Sequence, residues 1–363
     1  MRSIALQLAL AAVFAAGWWS SARAEFDIYG MAHISVDQSG NGDHDPATRK
    51  TATSISSNQS NIGLRGREGL RDQLFLIFQA EGTVHLDDGR GGKERDSFVG
   101  LESGYGTVLA GRYGTPYRRL TDRLDIFSTT HADYSAVIGS VNGESIFGRR
   151  ANNILFYTTP ESYRLRFAAA YIANQERDEL PLTDAQAALH GFSMALTFDS
   201  GPLYAGAAYQ RLGQAPGPDQ TAAKATKAAI GWDFREGTKV ALIWEKASSG
   251  ARLSGLEESR TAWYANASHV SGNTTYKIAY GMTDSLRAVP GSGAQMFALG
   301  FSYALSRRTE MYLLGTGIRN HSGAAYALQT DPDDPDSAIA PAAAGDDVYV
   351  FSAGLIHRFD IGF

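Results

Sequence analysis

The sequence contains no cysteine, so no disulfide framework braces the fold and no thiolate metal or redox site is available. Nor is there a basic excess. Lys and Arg number 33 against 38 Asp and Glu, a formal charge of −5, which leaves nothing to hold a polyphosphate backbone and excludes nucleic acid as the expected partner. Beyond the first two dozen residues, no uncharged run approaches the roughly 20 residues of a membrane helix. The eight histidines are scattered, without a His-Glu-x-x-His pair, and no Gly-x-Ser-x-Gly nucleophile elbow occurs. No metal and no cofactor are therefore expected, and an enzyme is the weaker reading.

What is present begins with Arg2, an uncharged apolar run from Ile4 to Trp19, and the small-residue end Ala22-Arg23-Ala24. This is the pattern of a secretory signal peptide cleaved after Ala24. Residues 1–24 hold two arginines and no acid, so the remaining 339 residues carry a formal charge of −7. From Glu25 onward the chain alternates at period two. Phe26, Ile28, Gly30, Ala32, Ile34 and Val36 fall on one face, and Asp27, Tyr29, His33, Ser35 and Asp37 on the other. Leu74, Leu76, Phe78, Ala80 and Val84 repeat the pattern against Gln73, Gln79, Glu81 and Thr83. Hydrophobic content is only 44%, as expected of a chain that crosses lipid as strands, where every second residue faces the bilayer.

The connections alternate between short and long. Tight turns are expected near residues 70–72, 103–106, 159–162, 200–202, 235–238, 271–274 and 306–308. Longer polar loops are expected at 39–53, 87–93, 115–147, 174–186, 213–223, 248–258, 286–293 and 320–345. Seven turns and eight loops join about 16 strands. A soluble β-sandwich also alternates, but short turns at one end and long loops at the other are the signature of an outer-membrane barrel, whose closure leaves no strand edge in lipid. The last segment runs from Val348 to Phe363 and places Phe351, Leu355, Phe359, Ile361 and Phe363 on one face, so the chain ends on an aromatic suited to an interfacial girdle. The expected fold is all-β: a transmembrane antiparallel β-barrel occupying residues 25–363.

Several segments resemble the general diffusion porins of Gram-negative bacteria, the trimeric 16-stranded group of proteobacteria. They are Asp27-Ile28-Tyr29-Gly30, Ser60-Asn61-Ile62-Gly63-Leu64-Arg65-Gly66, Ser97-Phe98-Val99-Gly100-Leu101, Gly106-Thr107-Val108-Leu109-Ala110-Gly111-Arg112, Arg149-Arg150-Ala151-Asn152-Asn153 and Gly354-Leu355-Ile356-His357-Arg358-Phe359. The resemblance implies a homotrimer in outer-membrane lipid and lipopolysaccharide, passing small hydrophilic solutes and ions. It also implies that the third external loop, here 115–147, folds into the channel and opposes loop acids to wall bases. Carried over by position, the wall bases are Arg95 and Arg150, with Arg149, Arg65, Arg67 and Arg112 as weaker candidates; the loop acids are Asp122, Asp125 and Asp133. Met31 and Asn61 stand where relatives often carry bases, so a weakly cation-selective pore is expected. Outward Gly30 and Ala32 suggest close approach of neighbouring barrels. A terminal aromatic strand resembles an outer-membrane assembly signal, with Phe363 as the signal residue and Phe359 as the alternative.

Two further expectations bear on function. The acidic run Asp331-Pro332-Asp333-Asp334-Pro335-Asp336 lacks the spacing of an EF-hand and reads as a mobile external loop rather than a calcium site. The alternative function is a substrate-specific channel for a sugar or an anion, kept open by Tyr113, Tyr117 and Phe127; a barrel enzyme is the less favoured alternative.

Overall fold

The computed structural model describes residues 24–41, 51–173, 190–213, 219–253 and 255–363. The proposed leader, apart from Ala24, lies outside the described residues, as do the expected 174–186 loop and parts of the 39–53 and 213–223 loops.

One closed antiparallel sheet dominates. β1 (Ala24–Asn41) pairs on one side with two consecutive segments, β2 (Thr51–Ser57) and β3 (Asn61–Arg71), which share a single strand position. The chain continues through β4 (Leu74–Val84), β5 (Gly91–Ser103), β6 (Gly106–Gly114), β7 (Arg150–Thr158), β8 (Leu165–Ile172), β9 (Gly191–Ser200) and β10 (Leu203–Leu212). It then forms β11 (Ala223–Asp233), β12 (Thr238–Ser248), β13 (Arg260–Ser271), β14 (Thr274–Thr283), β15 (Ala294–Ala304), β16 (Thr309–Asn320) and β17 (Val348–Gly362). From β4 onward each strand pairs with its predecessor, and β17 returns to β1 over a register running from Asp27↔Gly362 to Asn41↔Val348. Sixteen strand positions thus close on themselves, and no sheet edge is left in lipid.

Alternation sets the two faces. Outward Val36, Leu155, Ile230, Phe297, Leu299, Leu313 and Phe351 are exposed and apolar, whereas inward His33, Ser35, Asp37, Glu245 and Arg260 are buried inside the barrel. Tyr105, Tyr163, Phe234, Tyr276, Tyr303 and Phe363 stand exposed at the short-turn end, forming an aromatic girdle there. The seam is fastened by Phe363, whose ring stacks on Phe26 at 4.9 Å and whose N–H donates to the Phe26 carbonyl at 2.9 Å.

Three local expectations change. Strands run further into the long-loop end than periodicity suggested, since Ser39 and Gly40 pair with Ala52 and Thr51, and β5 begins at Gly91. Backbone pairing extends past the apolar alternation because the ladder needs partners, not hydrophobic side chains. The segment 115–147 is not structureless: it holds a one-turn helix, two 3-10 turns and a small hairpin. Gly30 does not form an open notch for a neighbouring barrel. A Cβ there would lie 2.5 Å from Cζ of Phe359, so this glycine accommodates an aromatic of its own barrel.

Candidate functional site

The site begins where β6 ends. Thr115 caps a single helical turn, α1 (Pro116–Arg119), accepting from the Arg118 N–H at 3.2 Å, with Pro116 in the position where a missing N–H costs nothing. The chain then travels along the inner wall, and glycines of the wall receive it. A Cβ at Gly206, Gly231, Gly281 or Gly300 would come within 2.6–2.9 Å of Leu120, Leu124, Val137 or Phe127, respectively. Each wall glycine is therefore a recess for one loop side chain.

Polar contacts fix the same path. Tyr204 donates to the Leu120 carbonyl at 2.6 Å, Asn266 to the Leu124 carbonyl at 2.7 Å, and Lys227 to the Thr121 hydroxyl at 2.8 Å. The strongest fastening is a fully buried ion pair, Arg260 with Glu245. Glu245 also accepts from the Gly139 N–H at 2.9 Å and from the Tyr117 hydroxyl, while Arg260 donates to the carbonyls of Ser140 at 2.8 Å and Val137 at 2.9 Å. Beyond these, the segment reaches β1, where His131 lies 3.2 Å from Asp37 and Thr129 lies 3.3 Å from His33. It is held by β10 to β15 and by β1, and so lines the inner wall of the barrel along these strands.

A second inward segment meets it. Residues 321–347, joining β16 to β17, bring Asp331 and Asp333 down to the wall arginines. Asp333 accepts from Arg118 at 2.9 Å, from Arg150 at 2.6 Å and from Arg112 at 3.3 Å. Asp331 accepts from Arg95 at 3.1 Å, and Arg95 also pairs with Glu81. Between β2 and β3, the ladder is interrupted at residues 58–60, where Gln59 adopts φ +56 and turns inward. Its amide donates to the Thr330 carbonyl and accepts from Arg95 at 3.1 Å, so the interruption positions a side chain that seats the loop. A cavity of about 200 Å³ remains between these elements, with Arg95, Arg118, Arg150, Asp122 and Lys227 among its lining.

The sequence-derived candidates divide into three groups. Arg95 and Arg150 lie together at this junction, Arg150 also pairing with Asp96 at 2.8 Å, and Arg112 joins them. Arg65 sits near the short-turn end, paired with Asp27 at 3.0 Å and Asp360 at 2.7 Å, and Arg67 pairs with Glu102 there; neither reaches the junction. Arg149 borders a separate space with Thr115, Glu144 and Gln210. Of the loop acids, Asp122 is exposed and Asp125 and Asp133 are largely buried, and all three line the same cavity as Arg95 and Arg150. Asp125 accepts from the Phe127 N–H at 2.9 Å, and Asp133 from the Ser135 N–H at 2.9 Å.

The expected pairing therefore needs correction. The acids on Arg95 and Arg150 come from strands and from the last loop, not from Asp122, Asp125 and Asp133. The short polar turns capped by Asp125 and Asp133 explain why those two carboxylates point back into their own backbone. The run 331–336 is likewise not a mobile external loop, because three of its residues' neighbours on the wall are arginines that anchor it. Burial raises the Asp125 carboxyl well above its usual range, and repulsion from Asp133 adds to this. Burial also pushes Asp133 up to about 6, against the opposing Ser135 hydrogen bond and Arg118 charge. For Asp333 burial acts upward, but Arg118, Arg150 and Arg112 outweigh it and hold the carboxyl well below the usual range.

A closed 16-strand barrel with an apolar belt, an aromatic girdle, and two external loops seated in a charged lumen defines an outer-membrane channel. Residues 8–322 match the family model described as Gram-negative porin, and the chain belongs to that family. It is 26% identical over 332 residues to outer membrane porin protein 32 of Delftia acidovorans, covering 88% of this chain and 90% of that protein. Over a shorter stretch of 121 residues it is 33% identical to the major outer membrane protein P.IB of Neisseria sicca, 32% of this chain and 34% of that protein. Among solved structures, the anion-selective porin from Comamonas acidovorans superposes with a TM-score of 0.77 at 23% identity, covering 93% of this chain and all of that one. OmpF of Salmonella typhi superposes at 0.65 with 15% identity, covering 92% and 97%. The protein resides in the outer membrane.

Proposed function

We propose that residues 25–363, released by cleavage after Ala24, form a trimeric general diffusion channel for small hydrophilic solutes and ions, with no catalytic role. The observation that carries this reading is the junction of two inward loops with Arg95, Arg112, Arg118 and Arg150, which narrows a water-filled lumen without filling it. In this reading the apolar outer face contacts lipid, and the long-loop rim contacts lipopolysaccharide. Charge is nearly balanced at the junction, so selectivity is weak. Acids on both loops and the absence of bases at Met31 and Asn61 favour cations. Anion selectivity is named for the Comamonas protein, and the arginine cluster is the feature of this chain that would move it in that direction.

Liposome swelling with neutral sugars of increasing size tests the proposal. The expected result is a permeation rate that falls smoothly with solute size and does not saturate with concentration. Saturable, competitive uptake of one sugar or anion would establish the substrate-specific alternative instead.

A further inference from the structure

The last external loop carries the charge that decides what the arginine cluster does. Arg112 on β6, Arg118 on α1 and Arg150 on β7 come from three different elements, yet all three converge on the single carboxylate of Asp333. The side chain of Asp333 is 7% exposed, and the Arg150 N–H also donates to it at 2.9 Å. Two residues earlier, Asp331 is 5% exposed and holds Arg95. Both acids are fixed by the loop itself: Asp331 accepts from the Asp333 N–H at 3.0 Å, and the Ser337 hydroxyl contacts the Asp331 N–H at 3.1 Å. Bidentate or multiple arginine contacts to one carboxylate are strong and geometrically specific, so the loop is held in one position over the cluster.

We propose that Asp333, assisted by Asp331, is the selectivity-determining residue of this channel: Asp333 masks Arg112, Arg118 and Arg150, and Asp331 masks Arg95, arginines that would otherwise attract anions into the lumen. The inference rests on the channel function proposed above. Fixed charge within a Debye length of a narrow water-filled passage governs which ion enters, and the cavity is lined by Pro332, next to Asp333, and by Arg95, Arg118 and Arg150. Removing one carboxylate here leaves three arginines facing the lumen with Asp96 as the nearby remaining acid of Arg150 and Arg119.

The test uses the absence of native cysteine. Asp333→Cys in the full mature chain is recorded in planar bilayers across a KCl gradient, before and after a sulfonatoethyl thiol reagent restores a negative charge at that position. Before modification the chloride-to-potassium permeability ratio is expected to rise at least about twofold over the unmodified protein, and the reagent is expected to reverse most of that rise, as a charge effect at a few ångströms requires. A trimethylammonium reagent should leave the ratio raised. Asp331→Asn, which leaves Arg95 with Glu81 as its acid partner, should shift it in the same direction to a smaller extent and serves if the cysteine variant does not fold, as judged by heat-modifiable gel mobility. An unchanged or lowered ratio in the folded variants would overturn the proposal. Failure of the unmodified protein to conduct at all would instead overturn the channel reading on which it rests.

Discussion

Glu245 and Arg260 offer a quantitative probe of how the segment 115–147 is held against the wall. Both side chains are fully buried, on neighbouring strands β12 and β13, and between them they bind Tyr117, Val137, Gly139 and Ser140. Removing one member of a buried, hydrogen-bonded ion pair leaves the other charge uncompensated, which costs about 3–5 kcal/mol, whereas replacing both with apolar groups of similar volume is often close to neutral. Glu245→Leu alone strands Arg260, and Arg260→Met alone strands Glu245. The strand ladder closes without this segment, so the cost should appear first as release of residues 115–147 and only secondarily as loss of the barrel. Each single variant should therefore show greater open-channel current noise and faster protease cleavage within the segment. The double variant should recover much of the loss, giving a favourable coupling energy of at least about 1 kcal/mol between sites in direct contact. Stability is read by urea unfolding in lipid vesicles, using the fluorescence of Trp232, Trp244 and Trp263. If the effects simply add, or if noise and cleavage are unchanged in both single variants, the pair does not anchor the segment.

Truncation after Phe359 removes Asp360, the Arg65 partner, along with the Ile28↔Ile361 pairing and the Phe26–Phe363 stack, so refolding yield in a heat-modifiable gel assay should fall further than with Phe363→Ala alone; a normal yield after truncation would show that Phe359 suffices. Gly281→Val places bulk where Val137 seats, and should displace the segment and raise conductance relative to Gly82→Val, a glycine with open surroundings. Acidification should tighten the packing of the segment 115–147. Asp133, raised from 3.8 to about 6, binds its proton more tightly when packed; its contribution is complete below 3.8 and is lost as pH rises through 6. Asp333 has the opposite sign, since its depressed value makes its contribution complete above 3.8 and lost only at lower pH. Open-channel noise should thus fall from pH 7 to pH 5 and the change should shrink in Asp133→Asn, with Asp125 left as the other carboxyl of the segment raised by burial; an identical pH response in that variant would assign the effect elsewhere.

The barrel was legible because its signals are local. Alternation in 26–37 and turn chemistry such as Ser200-Gly201-Pro202 read strand by strand, and the final aromatic strand marked the closing position. The segment 115–147 was legible as a long insertion after Gly114, but its docking path along the wall was not. Gly206, Gly231, Gly281 and Gly300 look like ordinary strand glycines until the inner face of each strand is known, and they lie on four strands separated by many residues. Arg95 and Arg150 could be placed by their positions in strands. Their partners could not, because Asp331 and Asp333 lie some 180 or more residues further along the chain, in a loop with no periodicity to fix its direction. The one available signal was the density of acids at 331–336 in a chain whose arginines cluster near 95, 112, 118 and 150. Gln59 was missed for a related reason: its role depends on a three-residue break in a strand position that the sequence presents as continuous.

The most direct test of the central claim is single-channel recording of refolded mature protein in planar bilayers, with steps counted and the zero-current potential measured across a tenfold KCl gradient. A porin with a junction of nearly balanced charge predicts discrete conductance steps and a small potential of cation-preferring sign that shrinks further as salt rises, because the Debye length falls from roughly 10 Å at 0.1 M to about 3 Å at 1 M. A folded, heat-modifiable barrel that gives no steps would contradict it.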